Sequence, residues 1–550
     1  MQNIQNQIIN NRNSRNRFMN FFSKHKKIII PIFLILFYVL FYFLIDFSSQ
    51  SLVAHDEGLY ARRSRLVEET NNWFSFPFTT PHHKTIGSYW PIALSIRLFG
   101  NSELALRLPS ILSSFFCLVA TYLIALRISN KNTALLSLFS LSSMPLWIQY
   151  SRYASPDVSF VLCILLVILF FLKSIENAQH KISYIYIFIS GLFISTAFFL
   201  RSYMILVPLF GLTPFILVNL FKKDNIFKTF FISGIIFGFI PTFLNLYFSY
   251  KTFGTKGITS LFEFARKQAI GTFDFENLFY IPLNYIYLTF PIGFLFIILL
   301  VFTKTKDKAS DFPLLIYCYP ILSLTLLLCM STSYPHYYLF LLPSLSILFA
   351  VKSQHFLFRF RFSRFIFKYL LTCTLFFICF SILFLLFFYN EYLIEFTFIQ
   401  NILVYVISTF LFLSFLSSLR FLSADNIDGS NLKRFLYNII IPQYISLSLL
   451  YNFGVLGNPN FKIKQFLIDK SISSIVNTNT IYLFNVDSKI QTLLSYYLPK
   501  SRVVNSTEDL TMHDYIITSD SKFVYEYENK YFFKSIRNFD RHYLLKNISK

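Results

Sequence analysis

Apolar residues run in nearly unbroken stretches along most of this chain, each close to the roughly 20 residues that a helix needs to cross a hydrocarbon core of about 30 Å. They fall near 28–46, 107–126, 133–149, 158–172, 184–200, 203–221, 229–249, 283–302, 313–331, 337–351, 366–389, 399–419 and 435–453, which predicts about thirteen spans, within one. The first run is longer than a signal-peptide core and reads as an uncleaved anchor. Between the first two spans, the stretches from Leu59 to Glu68 and from Ala93 to Phe99 have the spacing of amphipathic helices lying along an interface. After residue 457 the pattern changes. Strand-like runs at Thr480–Val486 and Asp514–Thr518 flank a helix-like Ser488–Leu498, predicting a small α/β domain over 458–550. The expected layout is a basic segment 1–27, an α-helical polytopic membrane domain 28–457, and that α/β domain on the outer face.

Composition agrees with the pattern. The chain is 55% hydrophobic and 14% charged, with a mean hydropathy of +0.54, whereas soluble domains carry about 25% charge. The net charge of +22 raises the possibility of nucleic acid, but the basic residues cluster between apolar runs, as at Lys222, Lys223 and Lys228 or Lys304, Lys306 and Lys308. This is the positive-inside pattern of cytoplasmic loops, and no separate basic domain remains for nucleic-acid binding. The same rule places loops 47–106 and 250–282, the turns near 150–157 and 332–336, and the carboxyl-terminal domain on the outer side. All six cysteines lie in apolar runs, where they act as small hydrophobes. With 14 glycines and no phosphate-binding glycine loop, a nucleotide is not implied.

The polar groups suited to chemistry fall on the outer side. Asp56 and Glu57 follow the first span, and Asp157 closes the turn before the fourth. A carboxylate at the membrane surface can take a proton from an incoming hydroxyl; equally, an Asp there can cap the helix it precedes. Lys84 and Arg201 suit a phosphate leaving group held near the interface, although Arg201 can also simply mark the turn between two spans. Either His82 or His83 can join Glu57 around a divalent cation. His336, Tyr337 and Tyr338 read either as binding residues or as an interfacial aromatic belt. A transporter or lipid flippase is the rival reading, but it calls for polar or broken helices near the bilayer midplane, and these spans carry few charges there.

The order of these residues resembles one family. His55-Asp56-Glu57-Gly58-Leu59-Tyr60-Ala61, then Asn72-Trp73, His83-Lys84, Tyr89-Trp90, Phe99-Gly100 and Leu106-Arg107-Leu108-Pro109-Ser110 resemble the amino-terminal signature of GT-C glycosyltransferases related to protein O-mannosyltransferases and the lipid A 4-amino-4-deoxy-L-arabinose transferase. Ser151-Arg152-Tyr153 to Asp157, Gly191 with Arg201 and Pro208, and His336-Tyr337-Tyr338 with Leu341-Leu342-Pro343 extend the resemblance over about residues 30–350. It implies a polyprenyl-phosphate sugar donor, inversion at the anomeric carbon, no nucleotide, and a lipid A, glycan or protein acceptor at the outer face of a bacterial inner membrane. Asp56 is then the principal catalytic carboxylate, with Asp157 assisting and Glu57 supporting. Lys84 and Arg201 hold the donor phosphate. Leu59 stands where many members have Arg, so that phosphate contact is either lost or taken over by Arg62 or Arg63. Tyr60, His336, Tyr337, Tyr338 and Arg266 complete the implied substrate-binding set, and a divalent cation at His83 and Glu57 is the one cofactor considered. His83 replaces an acidic residue common in the family, Thr85-Ile86 replaces Pro-Pro after the lysine, and Arg201-Ser202-Tyr203 stands for Lys-Gly-Pro.

Overall fold

The computed structural model describes residues 50–54, 56–78, 81–269, 284–286, 288–305, 312–330, 334–354, 356–358, 369, 398–422, 429–498, 500–506, 511, 513–529, 533–539 and 542–548. The expected basic segment 1–27, the span 28–46, the span 366–389 apart from Tyr369, and residues 270–282 of the second long loop lie outside them.

Two helices form in the loop after the first apolar run, α1 (Asp56–Glu69) and α2 (Trp90–Phe99), close to where the amphipathic spacing puts them. The helices that follow are α3 (Glu103–Ile128), α4 (Lys131–Ser143), α5 (Pro145–Arg152), α6 (Asp157–Glu176), α7 (Ile182–Arg201), α8 (Leu206–Phe221), α9 (Asn225–Gly238), α10 (Ile240–Phe253) and α11 (Lys256–Ala269). Beyond them come α12 (Ile292–Phe302), α13 (Tyr319–Leu328), α14 (Leu341–Gln354), α15 (Phe398–Leu422) and α16 (Gly429–Asn452). Among the described residues five segments are long and apolar enough to cross a membrane: Glu103–Ile128, Asp157–Glu176, Ile182–Phe221, Asn225–Phe253 and Phe398–Phe421.

Local sequence explains the boundaries. The Ser102 hydroxyl accepts from the Ala105 N–H to start α3, and the Asn130 side chain accepts from the Asn132 and Thr133 N–H groups to start α4, each satisfying donors that a helix terminus leaves free. The expected span 133–149 is two helices, because Pro145 cannot donate into the ladder of α4. Helices α7 and α9 cross closely at paired glycines: a methyl on Gly191 would lie 2.3 Å from the Phe231 carbonyl, and one on Gly234 2.1 Å from that of Phe188. Small residues at such crossings let backbones approach where lipid supplies no hydrophobic drive. On α9 and α10 the outward side chains Ile232, Ile236, Phe237 and Phe243 are exposed, as suits a surface solvated by hydrocarbon.

Residues 461–547 form the α/β unit. It comprises α17 (Phe461–Ile468), α18 (Lys470–Thr478), β1 (Ile481–Phe484), α19 (Ser488–Tyr497), β2 (Ser501–Val503), β3 (Tyr515–Thr518), α20 (Ser521–Asn529), β4 (Phe533–Phe539) and β5 (His542–Asn547). The sheet order is β2-β1-β3-β5-β4, with β1 parallel to both β2 and β3, and β5 antiparallel to β3 and β4. Its inner residues join one apolar core with the two loop helices: Leu483, Leu493 and Leu544 pack with Tyr60, Ile92 and Ile96. Polar bonds reinforce this docking, including a Lys464–Glu103 ion pair at 2.6 Å and the Tyr496 hydroxyl donating to Asn101 at 3.0 Å. The unit is therefore seated on the two loop helices α1 and α2.

Candidate active site

A cavity of about 580 Å³ opens where α1, the Lys84–Ser88 segment, the start of α6, the end of α7, α11 and the Tyr334–Tyr337 turn converge. At its centre is a chain of four polar side chains. The Tyr60 hydroxyl accepts from Lys84 Nζ at 2.9 Å and from the Arg201 guanidinium at 3.0 Å; the same guanidinium pairs with Asp157 at 2.9 Å.

Arg201 ends α7, and the last carbonyls of any helix lack intrahelical partners. Here they receive hydroxyls: Thr85 donates to the Phe199 carbonyl at 2.7 Å and Ser88 to that of Leu200 at 2.7 Å. The segment after Lys84 is thereby stitched to the helix that presents Arg201. A methyl on Gly87 would lie 2.3 Å from the Phe199 carbonyl, so only glycine allows the approach. Gly87→Ala should displace the segment at a cost of about 1–3 kcal/mol and separate Lys84 from Arg201. Anion affinity and thermal stability measured together test this, and a variant unchanged in both would contradict it.

Asp157 is the first residue of α6. Its carboxylate faces Arg201 at the edge of the cavity. Asp56 is the first residue of α1, so it starts the helix whose next turn carries Tyr60.

Glu57 has a different place. It is fully buried and its two oxygens accept from Nε and Nη2 of Arg107, each at 2.8 Å. It also accepts from the Val53 N–H and the Ala154 N–H, each at 2.9 Å. One carboxylate thus ties the start of α1 to α3 and to the turn that leads into Asp157. With its oxygens so engaged, and with the His83 ring packed 4.3 Å from that of Phe264, the expected cation site at His83 and Glu57 does not assemble. Among the described residues no group of three or more His, Cys, Asp or Glu side chains is placed to hold a metal ion.

The remaining expected residues divide. Tyr60, Arg63, His83, Lys84, His336 and Tyr337 line the cavity, together with Asp157 and Arg201. Arg63 donates to the Tyr89 hydroxyl at 3.0 Å and stacks on Phe78 at 5.4 Å. Arg62 and Arg266 are exposed outside the lining, because each sits on a different face of its helix from the residues that reach the cavity. Tyr338 is buried behind its neighbour, 5.6 Å from Tyr285. Sequence reading missed Tyr150, Ser155, Phe264 and Lys489 of the lining. Of these, Lys489 comes from α19 of the α/β unit, distant in sequence and without any local signal.

Electrostatics favour an anion in this cavity. Arg63, Lys84, Arg201 and Lys489 face it along with Asp157. Burial, opposed by Tyr89 and Asp157 and reinforced by Arg201, lowers the Lys84 ammonium to about 8. Burial likewise lowers His83 and His336 to about 4, so both rings are neutral near pH 7 and leave the positive charge to lysine and arginine.

The fold defines the class: a helical membrane protein with the GT-C fold. The solved structure of ArnT from Cupriavidus metallidurans bound to undecaprenyl phosphate is similar over 96% of this chain and 99% of that one, with a TM-score of 0.70 at 14% identity. The same protein in its apo state gives a TM-score of 0.67. Residues 83–248 match the family described as dolichyl-phosphate-mannose-protein mannosyltransferase. An undecaprenyl phosphate-alpha-4-amino-4-deoxy-L-arabinose arabinosyl transferase of Yersinia enterocolitica is 28% identical over 195 residues, and an uncharacterised protein of Aquifex aeolicus 46% identical over 80. The chain matches 34% of the length of the first and 16% of the second.

Proposed function

We propose that this protein is an inverting glycosyltransferase that moves a sugar from a polyprenyl-phosphate donor to an envelope acceptor (lipid A, another glycan or a protein) at the periplasmic face of a bacterial inner membrane. The observation that carries this reading is the Lys84–Tyr60–Arg201–Asp157 chain beside the start of α1. It supplies fixed cations for a departing phosphate at the point where the helix of Asp56 begins. The arabinosyl transferase relatives and the undecaprenyl phosphate bound to the similar structure support the donor class.

In the proposed reaction the acceptor oxygen attacks the anomeric carbon as the bond from that carbon to the phosphate oxygen breaks. Asp56 takes the proton of a hydroxyl acceptor, and polyprenyl phosphate leaves with the electron pair. Lys84 and Arg201 stabilise the charge that gathers on the phosphate, a contribution that is large because the donors are already in place and partly screened from water. Asp157 holds the Arg201 guanidinium in position. Purified protein offered polyprenyl-phosphate sugars and nucleotide-activated sugars separately should transfer from the former and not from the latter; transfer only from the nucleotide donor would refute the reading.

The Lys84 ammonium adds a pH test. Its value of about 8 lies below the ordinary 10.5, so in the empty protein its charge costs stability at neutral pH, and that cost disappears as pH rises through the interval between the two. A bound phosphate favours the charged form, so binding takes up a proton above about pH 8. Undecaprenyl phosphate affinity should therefore fall between pH 7 and 9, by at most about tenfold per unit. The second ionisation of a phosphate monoester, near about 6, and the two histidines lie below this window. Lys84→Arg should flatten the profile; an equally steep fall in that variant would assign the dependence elsewhere.

A further inference from the structure

Most of the cations around the cavity are already engaged within the protein. Lys84 and Arg201 both donate to Tyr60, Arg201 also pairs with Asp157, and Arg63 is held by Tyr89. Lys489 differs. It lines the same cavity, and its ammonium makes no hydrogen bond or ion pair with the described residues, while its backbone N–H is fixed by the capping Asp487 carboxylate at 3.0 Å.

Its position is set by helix packing. A methyl on Gly58 would lie 3.4 Å from the Leu493 Cα, which brings α1 and α19 into close contact. Seven residues further along α1, Arg65 donates to the Tyr496 and Ser495 carbonyls at 2.7 and 3.3 Å and stacks on the Tyr496 ring at 5.5 Å. Arg65 thus satisfies free carbonyls at the end of α19, where a cation also complements the helix dipole. Gly58 facing Leu493 and Arg65 facing Tyr496 mean that the helices run in the same sense. Lys489, one turn before Leu493, shares its face and lies toward the end of α1 that begins at Asp56. Leu493 and Leu494 are fully buried, so α19 is anchored at its middle and at both ends.

We infer that Lys489 is a second anion-binding point in the cavity, supplied by the α/β unit and separate from the Lys84–Arg201 point. Its ligand is a phosphoryl or carboxylate group. Resting on the donor reading above, the inference adds that productive complexes carry a second negative group beyond the donor phosphate bound by Lys84. That group comes either from the acceptor or from the donor itself. A Coulombic contact of this kind at an exposed ammonium is weakened by salt, and it selects by charge rather than by shape.

The test uses the full chain in nanodiscs, loaded with undecaprenyl phosphate, with inorganic phosphate as the probe at constant ionic strength and binding read by calorimetry. The loaded native protein should take up inorganic phosphate, Lys489→Ala should weaken that uptake by about tenfold, a loss of roughly 1.4 kcal/mol, and Lys489→Arg should largely restore it. Lys84→Ala should instead weaken undecaprenyl phosphate itself. Equal phosphate uptake by the native and Lys489→Ala proteins would overturn the inference, as would a loss of undecaprenyl phosphate affinity in Lys489→Ala matching that of Lys84→Ala. Failure of the native protein to bind undecaprenyl phosphate would instead refute the donor reading. To separate the two sources, transfer to anionic and neutral acceptors is compared. A rise in KM in Lys489→Ala confined to anionic acceptors assigns the group to the acceptor, and a rise for both assigns it to the donor; no rise for either overturns the inference.

Discussion

Asp56→Asn should lower sugar transfer by about a hundredfold or more, the range over which positioned general bases act, while leaving the protein folded. Asn has nearly the shape of Asp and is equally suited to a helix start, so α1 should keep its place and Tyr60 its two bonds. Undecaprenyl phosphate affinity should then change by less than about threefold, since the proposed phosphate contacts lie on Lys84 and Arg201. The size of the loss also reports the acceptor. A hydroxyl acceptor needs its proton removed and should suffer the full effect. An acceptor attacking through an already ionised phosphate should suffer less, because Asp56 then acts by placing the reactants and supporting positive charge at the anomeric carbon. Transfer at the native rate would remove Asp56 from the mechanism.

Arg107→Ala should be damaging in another way. It leaves the Glu57 carboxylate fully buried with two backbone N–H groups as its remaining described partners, and breaking a buried ion pair on one side costs about 3–5 kcal/mol. Since Glu57 joins the start of α1 to the turn before Asp157, the cavity should lose its geometry along with the protein's stability. The expected outcome is a lowered melting temperature together with loss of donor binding, unlike the selective loss in Asp56→Asn. Glu57→Gln combined with Arg107→Ala should recover part of the stability, because no unpaired charge stays buried. A stable Arg107→Ala variant with full donor affinity would show that the pair holds nothing in place.

How much of this was readable in advance follows from the range of each signal. Apolar run length found the segments of α3, α6, α7 and α15, because lipid solvation acts along a continuous stretch of chain. It merged α4 with α5, since Pro145 interrupts a helix without interrupting hydrophobicity. Arg201 was legible as charge set against an apolar background, Lys84 as a cation in the outer loop, and Asp157 as a carboxylate at a span entry. Their union through Tyr60 was not, because it depends on the bonds from Thr85 and Ser88 to the end of α7, a contact across more than a hundred residues. Arg107 lay within a motif that sequence reading had marked, yet its partner emerged only from packing. Glu57 looked like chemistry because an exposed loop carboxylate usually does; burial against Arg107 makes it a brace. Lys489 had no signal at all, being one lysine in a polar domain until α19 docks on α1.

The central claim is that the donor phosphate binds against Lys84 and Arg201. A cryo-electron microscopy structure of the full chain with saturating undecaprenyl phosphate tests it most directly. The phosphate is predicted within about 2.7–3.2 Å of Lys84 Nζ and of the Arg201 guanidinium, next to Tyr60 and the start of α1. A phosphate resolved elsewhere on the protein, with these two side chains still bonded only to Tyr60 and Asp157, would contradict it.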